Sequence, residues 1–203
     1  MQIKLERPRF KEWIIWIVAS SILFGLAGSF FHFPGDNFPP GSWQFSERLS
    51  AGVFGFILGA VTGAVIGGLQ SIVLRLLRVG VRGWWWATAL GAGVAHGLRD
   101  GAEFFDPEWV AALVSGVVIS ALYLRAARNI SGDSRVWFGL CLGGWLAAWW
   151  LATIVENQFR FNYLPWNPMI GLLEGFSFSL VFGLVFALFT GAGLFGYFRK
   201  AES

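Results

Sequence analysis

The apolar residues of this chain fall into runs that approach or exceed the length of a membrane crossing, and its charged residues, Glu174 apart, lie outside those runs. A crossing helix needs about 20 mostly apolar residues to traverse roughly 30 Å of hydrocarbon. Runs at 13–31, 49–74, 84–98, 109–124, 136–155 and 168–198 approach or exceed that length. Only 13% of residues are charged, whereas a soluble domain carries about a quarter. So few charges cannot clothe a water-facing surface, and lipid is the solvent that such a chain implies. The chain therefore reads as one all-α domain over 1–203, an integral membrane bundle of six transmembrane helices in three helical hairpins. A nucleic-acid partner has no place in such a reading; the lipid bilayer is the first partner.

Prolines agree with these runs. An interior proline disrupts a helix, and Pro8, Pro34, Pro39, Pro40, Pro107, Pro165 and Pro168 all fall outside the runs or at a run's first residue. Asn167-Pro168 has the form of an N-cap followed by a first-turn proline, which fixes where the sixth run begins. The basic start followed by an apolar stretch also resembles a signal peptide, but the stretch is long for one, and it reads as a retained first span.

Charge orients the bundle. With the N-terminus inside, Lys4, Arg7, Arg9, Lys11, Arg75, Arg78, Arg82, Arg125, Arg128, Arg135, Arg199 and Lys200 all lie on the cytoplasmic side, leaving only Arg48, Arg99 and Arg160 outside. That asymmetry is the positive-inside pattern and places both termini in the cytoplasm. The acids Asp36, Glu47, Asp100, Glu103, Asp106, Glu108, Glu156 and Glu174 fall on the outer side.

Small residues recur every fourth position. The second run has Gly55, Gly59, Gly63 and Gly67, and the sixth has Gly171, Gly175, Ser179, Gly183, Ala187 and Gly191. The third has one row at Gly83, Ala87, Gly91 and Ala95, and another at Gly93, Gly97 and Gly101. Such rows let two backbones approach closely, which is how helices adhere where hydrophobic burial offers no drive. They serve packing within the chain or contact with another subunit or a second copy. Each hairpin opens on tryptophan and closes on basic residues, a pattern consistent with a threefold repeat and equally with alternating topology alone.

Ionisable residues at membrane depth are costly and mark candidate sites. The third run, at fifteen residues, is roughly 22 Å as a helix, about 8 Å short of the hydrocarbon. If its helix continues, His96, Arg99, Asp100 and Glu103 share one face. Glu174 lies roughly 9 Å below the start of the sixth helix, and Glu156 and Arg160 form an i, i+4 pair at the outer end of the fifth. These seven residues define a candidate outward-facing polar pocket, with internal ion pairing as the alternative. Gln70, Thr62, Thr88, Thr153 and Thr190 are the remaining polar groups within the runs. Threonine returns its hydroxyl to its own helix, whereas Gln70 calls for a partner across helices.

Catalytic signatures are thin. Cys141 sits between leucines and reads as a small buried hydrophobe. His96 and His32 would ligate a haem only if the fold joined them. No HExxH, CxxC, phosphate-binding loop or dinucleotide fingerprint occurs, so no catalytic residue and no metal is assigned, and the sequence names no cofactor.

The run Gly63-Ala64-Val65-Ile66-Gly67-Gly68-Leu69-Gln70-Ser71-Ile72-Val73-Leu74-Arg75, followed by Trp84–Trp86 and Ala87-Thr88-Ala89-Leu90-Gly91, resembles a pattern in uncharacterised bacterial multi-pass membrane proteins. The resemblance covers about thirty residues and brings no known activity. It implies a bacterial plasma-membrane protein. The expectation is a non-enzymatic membrane subunit that packs through its small-residue faces, within itself or in a larger assembly. A small-solute transporter or ligand-binding protein using the outer pocket is the alternative, and a pigment-binding subunit the third.

Overall fold

The computed structural model describes residues 10–31, 45–79, 81–101, 108–127, 134–162 and 168–197. These form six helices: α1 (Phe10–Phe31), α2 (Phe45–Leu76), α3 (Trp84–Gly101), α4 (Glu108–Ala126), α5 (Ser134–Asn162) and α6 (Pro168–Gly191), the last continued by a π-helical stretch at Ala192–Tyr197. The sixth helix is described from Pro168 onward, and Asn167, the expected N-cap, lies outside the described residues. Among the described residues there is no strand.

Five of the helices are long and apolar enough to cross a membrane, over Phe10–Gly28, Leu49–Leu76, Trp109–Ala126, Ser134–Val155 and Gly175–Phe195. The exception is α3, whose alanines and glycines are weakly apolar and whose last turns carry His96, Arg99 and Asp100. It is nonetheless packed between α2 and α4.

The helices outrun the apolar runs. Hydropathy measures preference for hydrocarbon and does not mark where backbone hydrogen bonding stops, so Arg99, Asp100 and Gly101 continue α3. At 18 residues α3 is about 27 Å long, and α4 at 19 residues about 28 Å. Both helices thus come within a few ångströms of the hydrocarbon thickness, α3 only by counting Arg99 and Asp100, so its apolar part stays short. By contrast α2, at 32 residues, is about 48 Å long.

Consecutive helices touch in chain order, and α6 returns to α1, so the bundle closes on itself. The most extensive interfaces are α2 with α3, then α1 with α6 and α5 with α6, while α1 and α2 touch much less. The helices that the three hairpins pair do touch, but α1 and α2 each have their principal interface elsewhere, with α6 and α3.

The glycine rows explain this choice of partners. A Cβ added at Gly59 would lie 2.5 Å from the Ala92 carbonyl oxygen, one at Gly63 2.6 Å from that of Thr88, and one at Gly67 2.8 Å from the Trp85 Cα. The α2 row therefore lies against the α3 backbone. The two rows of α3 divide between neighbours: Gly93 and Gly97 face Phe56 of α2, whereas Gly91 faces Ile119 of α4. On the far side, Gly25 and Gly28 of α1 meet Phe176, Ser179 and the Gly175 carbonyl of α6. Gly183 meets Phe24, and Gly191 meets Trp13 and Trp16. Gly171 lies in α6, but nothing is described of its surroundings. Wherever they are described, the small-residue rows are used within the chain.

The turn after α2 ends the helix tightly. The Arg78 amide donates to the Arg75 carbonyl and the Val79 amide to that of Leu74, both within 2.9 Å. This pair of bonds needs a left-handed residue at Arg78, whose φ is 57°, a position usually held by glycine. The left-handed conformation costs a non-glycine residue roughly 1–2 kcal/mol. Arg78→Gly is therefore expected to raise stability by about 1 kcal/mol, read as a higher midpoint in a thermal melt.

Candidate functional site

Of the seven candidate pocket residues, the structure places three together at the C-terminal end of α3. The glycine row of α2 makes room for two of them. The His96 side chain lies over Gly59, where an added Cβ would be 2.8 Å from both its Cβ and its Cδ2. The Asp100 carboxylate lies over Gly55, whose added Cβ would also come within 2.9 Å of the His96 carbonyl oxygen. A side chain at either glycine would push His96 or Asp100 away from α2. Arg99 points to a different neighbour, with its guanidinium carbon 5.7 Å from the centroid of Phe178 on α6. Cation–π contact of this kind is worth about 0.5–2 kcal/mol, more as water is excluded.

These three residues thus lie where α3 meets α2 and α6. Glu174 is one turn N-terminal to Phe178 on α6, and Glu156 and Arg160 share α5, but the side chains of these three are outside what is described. Glu103 lies outside the described residues altogether, as does His32. Four of the seven side chains are therefore outside what is described, and the structure describes only the α3 part of the candidate pocket. Among the described residues, no three His, Cys, Asp or Glu side chains come together in a metal-binding group.

A second constellation lies at the opposite end of α3, and the sequence reading found only part of it. Gln70 is 2% exposed, with its amide between two partners. Trp84 Nε1 approaches Gln70 Oε1 at 2.9 Å, and Gln70 Nε2 approaches Ser20 Oγ at 3.1 Å. Because an indole N–H only donates, the atom facing it must be the amide oxygen, and this fixes the amide orientation.

The neighbouring hydroxyls can be assigned in the same way. Thr88 donates to the Trp84 carbonyl at 2.9 Å, so the 2.8 Å contact with Tyr123 has the phenol as donor and Thr88 Oγ1 as acceptor. Thr190 donates to the Phe186 carbonyl at 2.9 Å and accepts from Trp16 Nε1 at 3.3 Å. One layer of directed hydrogen bonds therefore ties α1, α2, α3, α4 and α6.

Aromatic packing fills the spaces between these bonds. Tyr123 stacks on Trp84 with centroids 4.2 Å apart, and Trp16 meets Trp84 edge to face at 5.6 Å. Phe186 lies 5.8 Å from both Tyr123 and Trp145, which brings in α5. Trp145 donates to the Ala112 carbonyl and Ser115 Oγ of α4 at 3.1 and 3.2 Å. Cys141 is fully buried in the same core, as its leucine neighbours imply.

Sequence reasoning singled out Gln70, Thr88 and Thr190 but missed Trp16, Ser20 and Tyr123. The available signal was that Trp16 and Tyr123 lie inside apolar runs. An amphipathic ring there must find a hydrogen-bond partner within the protein.

Comparison of the chain with known protein families, with curated proteins and with solved structures finds no match.

Proposed function

We propose that this chain is a non-enzymatic, multi-pass membrane subunit whose interior polar groups serve to hold its helices in place. The observation that carries this reading is the hydrogen-bonded layer around Gln70, in which each polar side chain is directed at another helix or its own backbone. In hydrocarbon, polar groups must be satisfied inside the protein, so such a layer fixes helix positions. The bilayer is the primary partner. Contact with further subunits or a second copy would use the outward apolar surface, since the described glycine rows are covered from within.

In this reading all six helices cross the membrane, with α3 sheltered by its neighbours. The excess of arginine and lysine at one end places both termini in the cytoplasm. The glycine-rich resemblance points to a bacterial plasma membrane. The test is purification in mild detergent followed by mass spectrometry and an absorption spectrum. Specific co-purifying polypeptides at fixed stoichiometry are expected, with no visible absorption band. A monodisperse, partner-free monomer would overturn the subunit reading, and a coloured protein would favour pigment binding.

A second reading, a small-solute transporter or ligand-binding protein, is favoured by the clustering of His96, Arg99 and Asp100 at one end of α3. It predicts that Glu174→Gln or Glu103→Gln abolishes uptake or ligand binding at unchanged protein yield. Loss of yield instead would assign those carboxylates to ion pairing.

A further inference from the structure

The turn joining α2 to α3 encloses a groove of about 380 Å³, lined in part by Ser71, Arg75, Arg82, Gly83 and Trp85. Both guanidiniums are exposed, and neither is paired with an acidic side chain among the described residues. Ser71 gives its proton to the Gly67 carbonyl at 2.6 Å, so the arginines are the groove's strong side-chain donors. Five N–H groups in a planar fork on each make a receptor for phosphate oxygens.

The position of the groove is as informative as its charge. It opens where the apolar stretch Leu49–Leu76 ends. Below it, Val65, Leu69, Ile72 and Leu76 are all exposed, at i, i+4, i+7 and i+11, which is a single stripe of α2. Leu76, nearest the groove, is 77% exposed, and Trp85 on the groove wall is 53% exposed. An exposed indole at the end of an apolar stretch suits the headgroup zone. Cationic donors above, an interfacial tryptophan beside them and an apolar track below match the parts of one ligand class.

We propose that Arg75 and Arg82 bind the phosphate of an anionic phospholipid, whose acyl chain lies along the Val65–Leu76 stripe of α2. A soluble phosphate ester shares the headgroup chemistry but has no use for the stripe, and this favours the lipid. The site rests on the membrane reading, though not on which end of the bundle faces the cytoplasm. It gives the positive charge at this end a local role beyond orienting the chain.

The test is native mass spectrometry of the detergent-purified chain titrated with phosphatidylglycerol or phosphatidylcholine. Two surface arginines predict a preference for the anionic lipid of about thirtyfold in the first bound molecule. Arg75→Gln/Arg82→Gln is expected to bring that preference to within about twofold. Arg75→Lys/Arg82→Lys keeps most of it, and Arg125→Gln, on α4 and not part of the groove lining, leaves it unchanged. Thermal melts of each variant confirm that the fold is retained.

Three outcomes would overturn the site. They are an unchanged preference in the double glutamine variant, an equal loss in Arg125→Gln, and displacement of the lipid by glycerol phosphate at matched concentration. The last would assign the groove to a soluble phosphate. Failure of the membrane reading itself shows earlier and differently, as protein that stays in solution without detergent.

Discussion

Gly63→Leu is expected to destroy the folded bundle rather than to dissociate an oligomer. The added Cβ alone would lie 2.6 Å from the Thr88 carbonyl oxygen and 2.9 Å from the Ala89 Cα. Both atoms belong to helix backbone, so relief requires α3 to move as a unit. Overpacking a tight interior costs about 1–3 kcal/mol and occasionally more. With an entire helix displaced, the effect belongs at or above about 3 kcal/mol, a large share of the 5–15 kcal/mol that typically separates folded from unfolded protein. Gly59→Leu meets the Ala92 carbonyl in the same way.

Gly68 supplies the control. It is five residues further along α2 than Gly63, and nothing lies within 4 Å of a Cβ added there. Gly68→Leu should therefore leave stability unchanged or raise it slightly, since glycine is the poorer helix former by about 1 kcal/mol. Detergent-solubilised melts of the three variants decide the matter. If Gly63→Leu melts like the parent and only its oligomeric state changes, the row faces another molecule and the interface described above is wrong.

Gln70→Leu is expected to cost about 2 kcal/mol, with the loss concentrated at the α1–α2–α3 junction. Leucine fills most of the volume but leaves Trp84 Nε1 without its acceptor and Ser20 without its donor. A stranded buried donor costs about 1–3 kcal/mol, while hydrogen bonds between membrane helices average about 0.6 and reach about 1.7. The value lies toward the upper part of that range because two partners are orphaned together. A double-mutant cycle with Trp84→Phe isolates the bond. Removing both polar partners should cost less than the sum of the single losses by about 1 kcal/mol. Simple additivity would mean that the amide and the indole do not interact.

Much of the architecture was legible in the sequence, for physical reasons that also mark the limits. Hydrocarbon selects against charge and helix interiors against proline, so Arg75, Arg82 and Pro168 delimit helices in plain view. The Gly55–Gly67 row shows that something approaches α2 closely. It does not say what, because four residues of ideal helix turn 400° and the row drifts around the axis. The partner became clear only with the matching surface of α3, where Thr88, Ala89 and Ala92 fit against the glycines.

The candidate pocket was less legible. Spacing put His96, Arg99 and Asp100 on one face, but a face spans enough arc to touch two helices. Arg99 reaches Phe178 while Asp100 rests on Gly55. Tyr123 escaped notice because a phenol in an apolar run gives no periodic signal; its role depends on Thr88, thirty-five residues away.

The return of α6 to α1 has a consequence for biogenesis. A chain is made from its N-terminus, so α1 is made before α6, yet its principal interface is with α6. During that interval α2 and α3 can pair as soon as both have been threaded. Trp16, by contrast, waits for Thr190, with its indole N–H facing lipid or borrowed contacts. Of the six helices, α1 is thus made first but gains its most extensive interface only when α6 closes onto it.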